Sequence, residues 1–112
     1  MKYALLVYTN GDGGFDSMSP EEQAAISREY YAIRDEPGCV DGAHLQPIEM
    51  ATTVRVQNGQ TLATDGPFAD TKEVFGGYYL FELDNLDAAL EVAAKVPAAR
   101  LGGSVEVRPV VE

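Results

Sequence analysis

"GGYYLFEL", residues 76–83, is apolar at almost every position, rich in aromatic and branched side chains, and bounded by turn residues. A run this short reads as a strand covered on both faces, and "KYALLVY" (Lys2 to Tyr8) reads the same way. Two such strands belong at the centre of a sheet, and the other elements have to be placed around them.

Two helices are well signed. "SPEEQAAISREYYAIRDEPG" (19–38) offers Ser19 as N-cap, Pro20 in the first turn, Glu22 as capping-box partner and Pro37-Gly38 as a stop. Ile26, Tyr30 and Ile33 recur at helical spacing and predict its buried stripe. "DNLDAALEVAAKVP" (84–97) has Asp84 or Asn85 as cap, Leu86, Leu90 and Ala93 as its expected inner stripe, and Pro97 as its stop. "VDGAHLQP" (40–47) reads as a short strand or bend. "SVEVRPVV" (104–111) reads as a closing strand with Val105 and Val107 on one face and Glu106 and Arg108 on the other.

"TTVRVQNGQTLATD" (52–65) places Asn58-Gly59 between two alternating segments, a strong hairpin signal because both central residues of a type I′ turn need positive φ. With those two as the loop, Gln57 faces Gln60, Val56 faces Thr61, Val54 faces Ala63 and Thr52 faces Asp65. Opposed side chains share a face, so Asp65 ends an apolar face made by Val54, Val56 and Ala63, while Thr53 and Arg55 point the other way.

The resulting order is strand, helix, strand, hairpin, strand, helix, strand. This predicts an α+β fold: one domain over residues 1–112, with a ferredoxin-like subunit whose four-stranded antiparallel sheet carries both helices on one face. Both central strands are apolar on both sides and no third helix exists, so the other face needs a cover. A second copy of the chain is the expected one, giving a homodimer through the sheet face.

At 112 residues the chain is the size of one domain, and its composition, 46% hydrophobic and 23% charged, is that of a globular protein. A formal net charge of -10, with eight scattered Lys and Arg residues, disfavours nucleic acid and anionic membrane surfaces as partners. "YALLVY" is too short to span a bilayer or serve as the core of a signal peptide, so a cytoplasmic location is expected. Cys39 is the only cysteine and reads as a bystander thiol.

"NGDGGFD" (10–16) lies between a strand and a helix but fails as a dinucleotide fingerprint, since Asp16 stands where the third glycine belongs. As a calcium loop it offers Asn10, Asp12 and Glu21, but Phe15 occupies the position that needs glycine. No cofactor is expected. His44 is the sole histidine, so a zinc site is not expected either, and it reads as a surface or capping residue or as a lone acid/base group.

"DGPFADTKE" (65–73) has a structural reading: Gly66-Pro67 turns the chain out of the hairpin, Asp70 caps a single helical turn with Glu73 as its box partner, and Gly76 ends it. That leaves Asp65 and Lys72 unexplained. A carboxylate held partly out of water near a lysine has a tuned pKa, so Asp65, Lys72 and Glu73 are the candidate acid/base group. Glu106 and Arg108 either pair across a contact or reach a ligand, and Tyr3, Tyr8, Tyr78 and Tyr79 either line a cleft or fill the core. His44, Phe68, Tyr78, Glu106 and Arg108 are the candidate ligand-binding residues.

The stretch "ATTVRVQNGQTLATDGPFADTKEVFGGYYLFELDNLDAALEVAAKVP" (51–97), followed by "SVEVRPV" (104–110), closely resembles the YCII-related proteins of the DGPF type, named for the tetrapeptide Asp65-Gly66-Pro67-Phe68. The likeness runs over nearly the whole chain and combines DGPF, T-K-E, G-G-Y and E-V-R-P at these spacings. It implies a dimeric α/β barrel, in which ferredoxin-like subunits pair through their sheets. Relatives of this type are largely uncharacterised, and some occur beside or fused to extracytoplasmic-function sigma factors. The wider superfamily includes small degradative enzymes and monooxygenases that bind ligands between sheet and helices.

A His-Asp pair proposed for the YciI-type branch puts its histidine on the first helix. "EEQAAISREYYAIRDE" has none, and His44 itself departs from the usual DGPF pattern. Two readings stay open: a homodimer with a small-molecule cleft and acid/base chemistry, or a non-catalytic regulatory or interaction module.

Overall fold

A computed structural model of the chain describes residues 1–11, 13–69 and 71–112. Its strands are β1 (Lys2–Asn10), β2 (Cys39–His44), β3 (Thr52–Gln57), β4 (Gln60–Asp65), β5 (Glu73–Glu82) and β6 (Ser104–Pro109), and its helices are α1 (Pro20–Ile33) and α2 (Leu86–Lys95). The main sheet has the order β2-β5-β1-β6 with every neighbouring pair antiparallel, while β3 and β4 form a separate two-stranded sheet. This is the ferredoxin-like α+β arrangement, and the two strands apolar on both sides occupy its centre.

The local signals act as expected. The Ser19 side chain accepts from the Glu22 N–H and the Glu22 carboxylate accepts from the Ser19 N–H, completing the capping box of α1. Asn85 is the α2 cap, its Oδ1 accepting from Ala88 N–H at 2.9 Å. Asn58 and Gly59 both have positive φ, and the hairpin register from Gln57–Gln60 down to Thr52–Asp65 follows.

The two glycines that open "GGYYLFEL" serve close packing within the sheet. Gly76 is the extra residue of a bulge, since β1 passes from Val7–Gly77 to Tyr8–Phe75. A Cβ on Gly77 would lie 2.6 Å from the Ala43 carbonyl oxygen of β2, so only glycine admits the edge strand there.

The core lies between the sheet and the helices. Tyr3, Leu5 and Val7 of β1 and Tyr79 and Phe81 of β5 are buried with Ile33 of α1 and Ala89, Val92 and Ala93 of α2. Tyr3 and Tyr79 are therefore core residues. Val105 and Val107 pack against the same cluster, as their alternation in β6 predicts, and the half-buried Cys39 joins them. Burial pushes the Cys39 thiol up, away from thiolate reactivity.

Two expectations are corrected. The inner stripe of α2 is Ala89, Val92 and Ala93, continued by Val96, whereas Leu86 and Leu90 are each 47% exposed. Small side chains let the helix approach the sheet closely, and this selects a helical phase different from the one the largest residues suggest. The single helical turn before Gly76 is also absent among the described residues, because Glu73 to Gly76 are already strand and their backbone enters the β1 ladder. Asp12 of the glycine-rich loop and Asp70, the expected cap of that turn, lie outside the described residues. No helix among the described residues is long and apolar enough to cross a membrane.

The chain is extended for its size. Its radius of gyration is 15.8 Å against about 13 Å for a compact domain of this length. Its accessible surface is 7645 Å², about 1,600 Å² above the value expected for a folded monomer of 12.1 kDa.

Tyr79 gives the core a test. Its hydroxyl donates to the Tyr30 carbonyl at 2.9 Å, and burial pushes its pKa from 10.0 up to about 12. A phenol whose folded pKa lies above its unfolded one contributes stability in full below pH 10 and loses it as pH rises towards 12. Denaturant unfolding should show wild type losing stability over that window and Tyr79→Phe, lower at neutral pH by about 1 kcal/mol for the lost hydrogen bond, declining less steeply. Parallel profiles would remove Tyr79 as the cause.

Candidate ligand cleft on the open sheet face

Strand register sorts the side chains of the main sheet, because directly opposed residues share a face. The face away from the helices carries rows that cross the strands. Ala43, Tyr78, Leu6 and Glu106 form one row, and Asp41, Leu80, Ala4 and Arg108 the next. Towards the end of the sheet where β5 and β6 begin, Phe75, Tyr8 and Ser104 form another, with Asn10 and Glu73 beyond them. The centre of this face is apolar and only half-buried, and its polar groups lie along the edge strands.

At that end Tyr8, Glu73, Ser104, Val105 and Glu106 line an open depression of about 500 Å³. The Ser104 hydroxyl donates to Glu73 Oε2 at 3.0 Å, and the Tyr8 and Phe75 rings lie 5.5 Å apart at 55°. This volume is in the range of small-molecule sites. A second concavity, under the glycine-rich loop between Phe15, Met18, Tyr30 and Leu101, holds about 20 Å³, enough for a water and no more.

The candidate residues divide. Glu73, Tyr78, Glu106 and Arg108 share the open face, but only Glu73 and Glu106 line the depression, Arg108 lying in the row beyond Glu106, and among the described residues neither Glu106 nor Arg108 has an ion-pair partner. Asp65 and Lys72 are exposed at the base of the hairpin and on the return to β5, and among the described residues no hydrogen bond or ion pair joins them to each other or to Glu73. Phe68 is 77% exposed. His44 ends β2 opposite Gly77, on the helix side of the sheet and exposed.

The DGPF corner is held by backbone: Gly66 N–H donates to the Ala51 carbonyl at 2.7 Å, and the Thr53 hydroxyl donates to the Gly66 carbonyl at 2.8 Å. Gly66 has φ 103°, which favours glycine. Sequence reading missed Ser104 and Asp41. The alternation of β6 puts Ser104 on the face of Glu106, a signal that was available. Asp41 depends on a bulge at Val40 that only the register reveals. Among the described residues no three His, Cys, Asp or Glu side chains converge as metal ligands.

A family model described as the YCII-related domain matches residues 1–112. The chain belongs to the YCII-related family. It is also 39% identical over 114 residues to an uncharacterised protein of Rhizobium meliloti (strain 1021), an alignment covering 97% of this chain and 91% of the relative. The family thus embraces the sheet, both helices and the hairpin of this YCII-related chain together.

Proposed function

We propose that this YCII-related chain, of the DGPF type, is a cytoplasmic homodimer in which two sheets close face to face into a barrel around a small-molecule cleft with acid/base chemistry. The carrying observation is the open face: apolar along its centre, with the acid Asp41 on one edge strand and the base Arg108 on the other, in the same row. A two-fold axis along the strands lays each row on its own reverse. Arg108 then meets the partner's Asp41, Leu6 the partner's Tyr78, and Ala4 the partner's Leu80. The partner's β2 edge comes beside β6 and closes the barrel. The surplus surface of about 1,600 Å² is twice the roughly 800 Å² per partner of a standard interface.

Closure turns the depression into a chamber, with Glu73 and Glu106 as its acids. Both carboxylates line the same depression, within reach of one bound molecule, which is the placement a general acid or base needs. Tyr8 and Tyr78 supply apolar walls with polar tips, and the acidic lining favours a cationic or hydrogen-bond-donating ligand over an anion.

A thermal-shift screen of small amines and polyols, with hydroxy acids as the disfavoured anionic controls, tests this reading. A ligand at a hundred times its Kd should stabilise wild type by about 2.7 kcal/mol and leave a dimeric Glu73→Gln/Glu106→Gln variant unmoved. Asp65→Asn should stay within about 0.5 kcal/mol of wild type in stability, since its exposed carboxylate accepts no hydrogen bond among the described residues. An equal ligand shift in the double variant, or silence across the panel, would count against the cleft.

A further inference from the structure

We infer that the β3–β4 hairpin is an arm that reaches over a second copy of this chain, closes the mouth of that copy's cleft and brings Asp65 to it. The inference rests on the barrel reading above. The hairpin makes no substantial contact with the main sheet or either helix, and every residue in it except Thr53 is exposed. A two-stranded ribbon alone in water is only marginally stable, so this one calls for a surface to lie on.

Its two faces differ. One carries Val54 and Val56, 60% and 67% exposed, with Ala63 and, as its only charge, Asp65. The other carries Arg55 among Gln and Thr residues and Leu62. The first face is the one suited to bury. At six residues per strand the arm is about 20 Å long, enough to cross several strands.

Symmetry selects the partner's cleft over the arm's own. The arm leaves the sheet beyond His44, at the β2 edge, whereas the depression lies mainly over β1 and β6, four of its five lining residues coming from those two strands and Glu73 from β5. Both lie at the same end of the strands. The axis that pairs Arg108 with the partner's Asp41 carries the partner's β2 edge beside β6 and keeps the ends aligned, so the partner's arm stands beside Ser104 at the cleft mouth. A second copy has both a sheet face and an arm to cover, in keeping with a surplus surface about twice a standard interface patch.

Each cleft is then built from two chains: Glu73, Ser104 and Glu106 from one, and Asp65 from the other. An acid delivered in this way adds a third carboxylate to the mouth and strengthens the preference for a cationic ligand.

The test uses the full chain. Two Cys39→Ser proteins are prepared, one with Val54→Cys in the arm and one with Ser104→Cys at the cleft mouth, then mixed, allowed to exchange and oxidised. Because each chain holds a single cysteine, a Val54→Cys/Ser104→Cys disulfide can only join two chains. Alongside it, amide exchange of the hairpin is compared between wild type and the dimer-breaking Leu6→Asp variant. The expected result is a predominant mixed disulfide, with hairpin amides at least about tenfold better protected in the dimer than in the monomer. A wild-type dimer with no mixed disulfide and equal hairpin exchange in both proteins would overturn the arm while leaving the barrel standing. A wild type that sediments as a monomer would overturn both.

Discussion

Leu6→Asp is expected to turn the proposed dimer into a folded monomer, raising the dissociation constant at least about a hundredfold. Leu6 sits mid-strand in β1 on the open face, between Tyr78 and Glu106, and is half-buried in the single chain. Within one subunit an aspartate there keeps access to water and costs little beyond a poorer strand propensity. Across a closed face the same carboxylate is dry, unpaired and beside Glu106, and two-fold symmetry enters it twice. An unpaired buried charge costs about 3–5 kcal/mol. Sedimentation over a dilution series should show the shift, with the far-UV spectrum unchanged. If the variant still sediments as wild type does, the open face is not the interface. Exchanging the edge charges, with Asp41→Arg and Arg108→Asp in one chain, should restore association that either change alone weakens.

Phe81→Ala should be the most damaging single truncation in the subunit. Phe81 is fully buried, opposes Tyr3 in β1 and Cys39 in β2, and stacks at a tilt on Tyr79 with ring centroids 6.5 Å apart. Removing the ring leaves a cavity where the sheet meets the helices, at a cost of about 3–5 kcal/mol. That is a large share of the roughly 5–15 kcal/mol that holds a domain folded, and the melting midpoint should fall by more than about 10 °C. A loss below about 1 kcal/mol would mean that the core closes over the gap.

The contrast between these two leucine-and-aromatic strands shows where sequence reading works. β1 and β5 are apolar on both sides, and that was legible because strand alternation is a property of the chain itself. Which side meets helices and which side stays open was not, since it follows from where α1 and α2 return to the sheet. The same holds at the site. Glu106 and Arg108 were assigned to one face by alternation within β6, and the structure agrees. The grouping of Asp65 and Lys72 with Glu73 rests on the hairpin register that puts Asp65 at the rim of an apolar face, but Glu73 enters the sheet ladder, where its carboxylate finds Ser104, a residue 31 positions away.

Local physics accounts for what the sequence determined by itself: the capping box at Ser19, the Asn85 cap, the positive-φ turn at Asn58-Gly59 with its register, and the order of strands and helices. Each depends on residues within a turn or two of one another. Only the tertiary structure decided the phase of α2, where small alanines at the sheet outweighed Leu86 and Leu90, and the assembly of Glu73, Ser104, Glu106 and Tyr8 around one depression. Those depend on how closely distant elements approach, and that distance is set by the packing of side chains that no local pattern brings together.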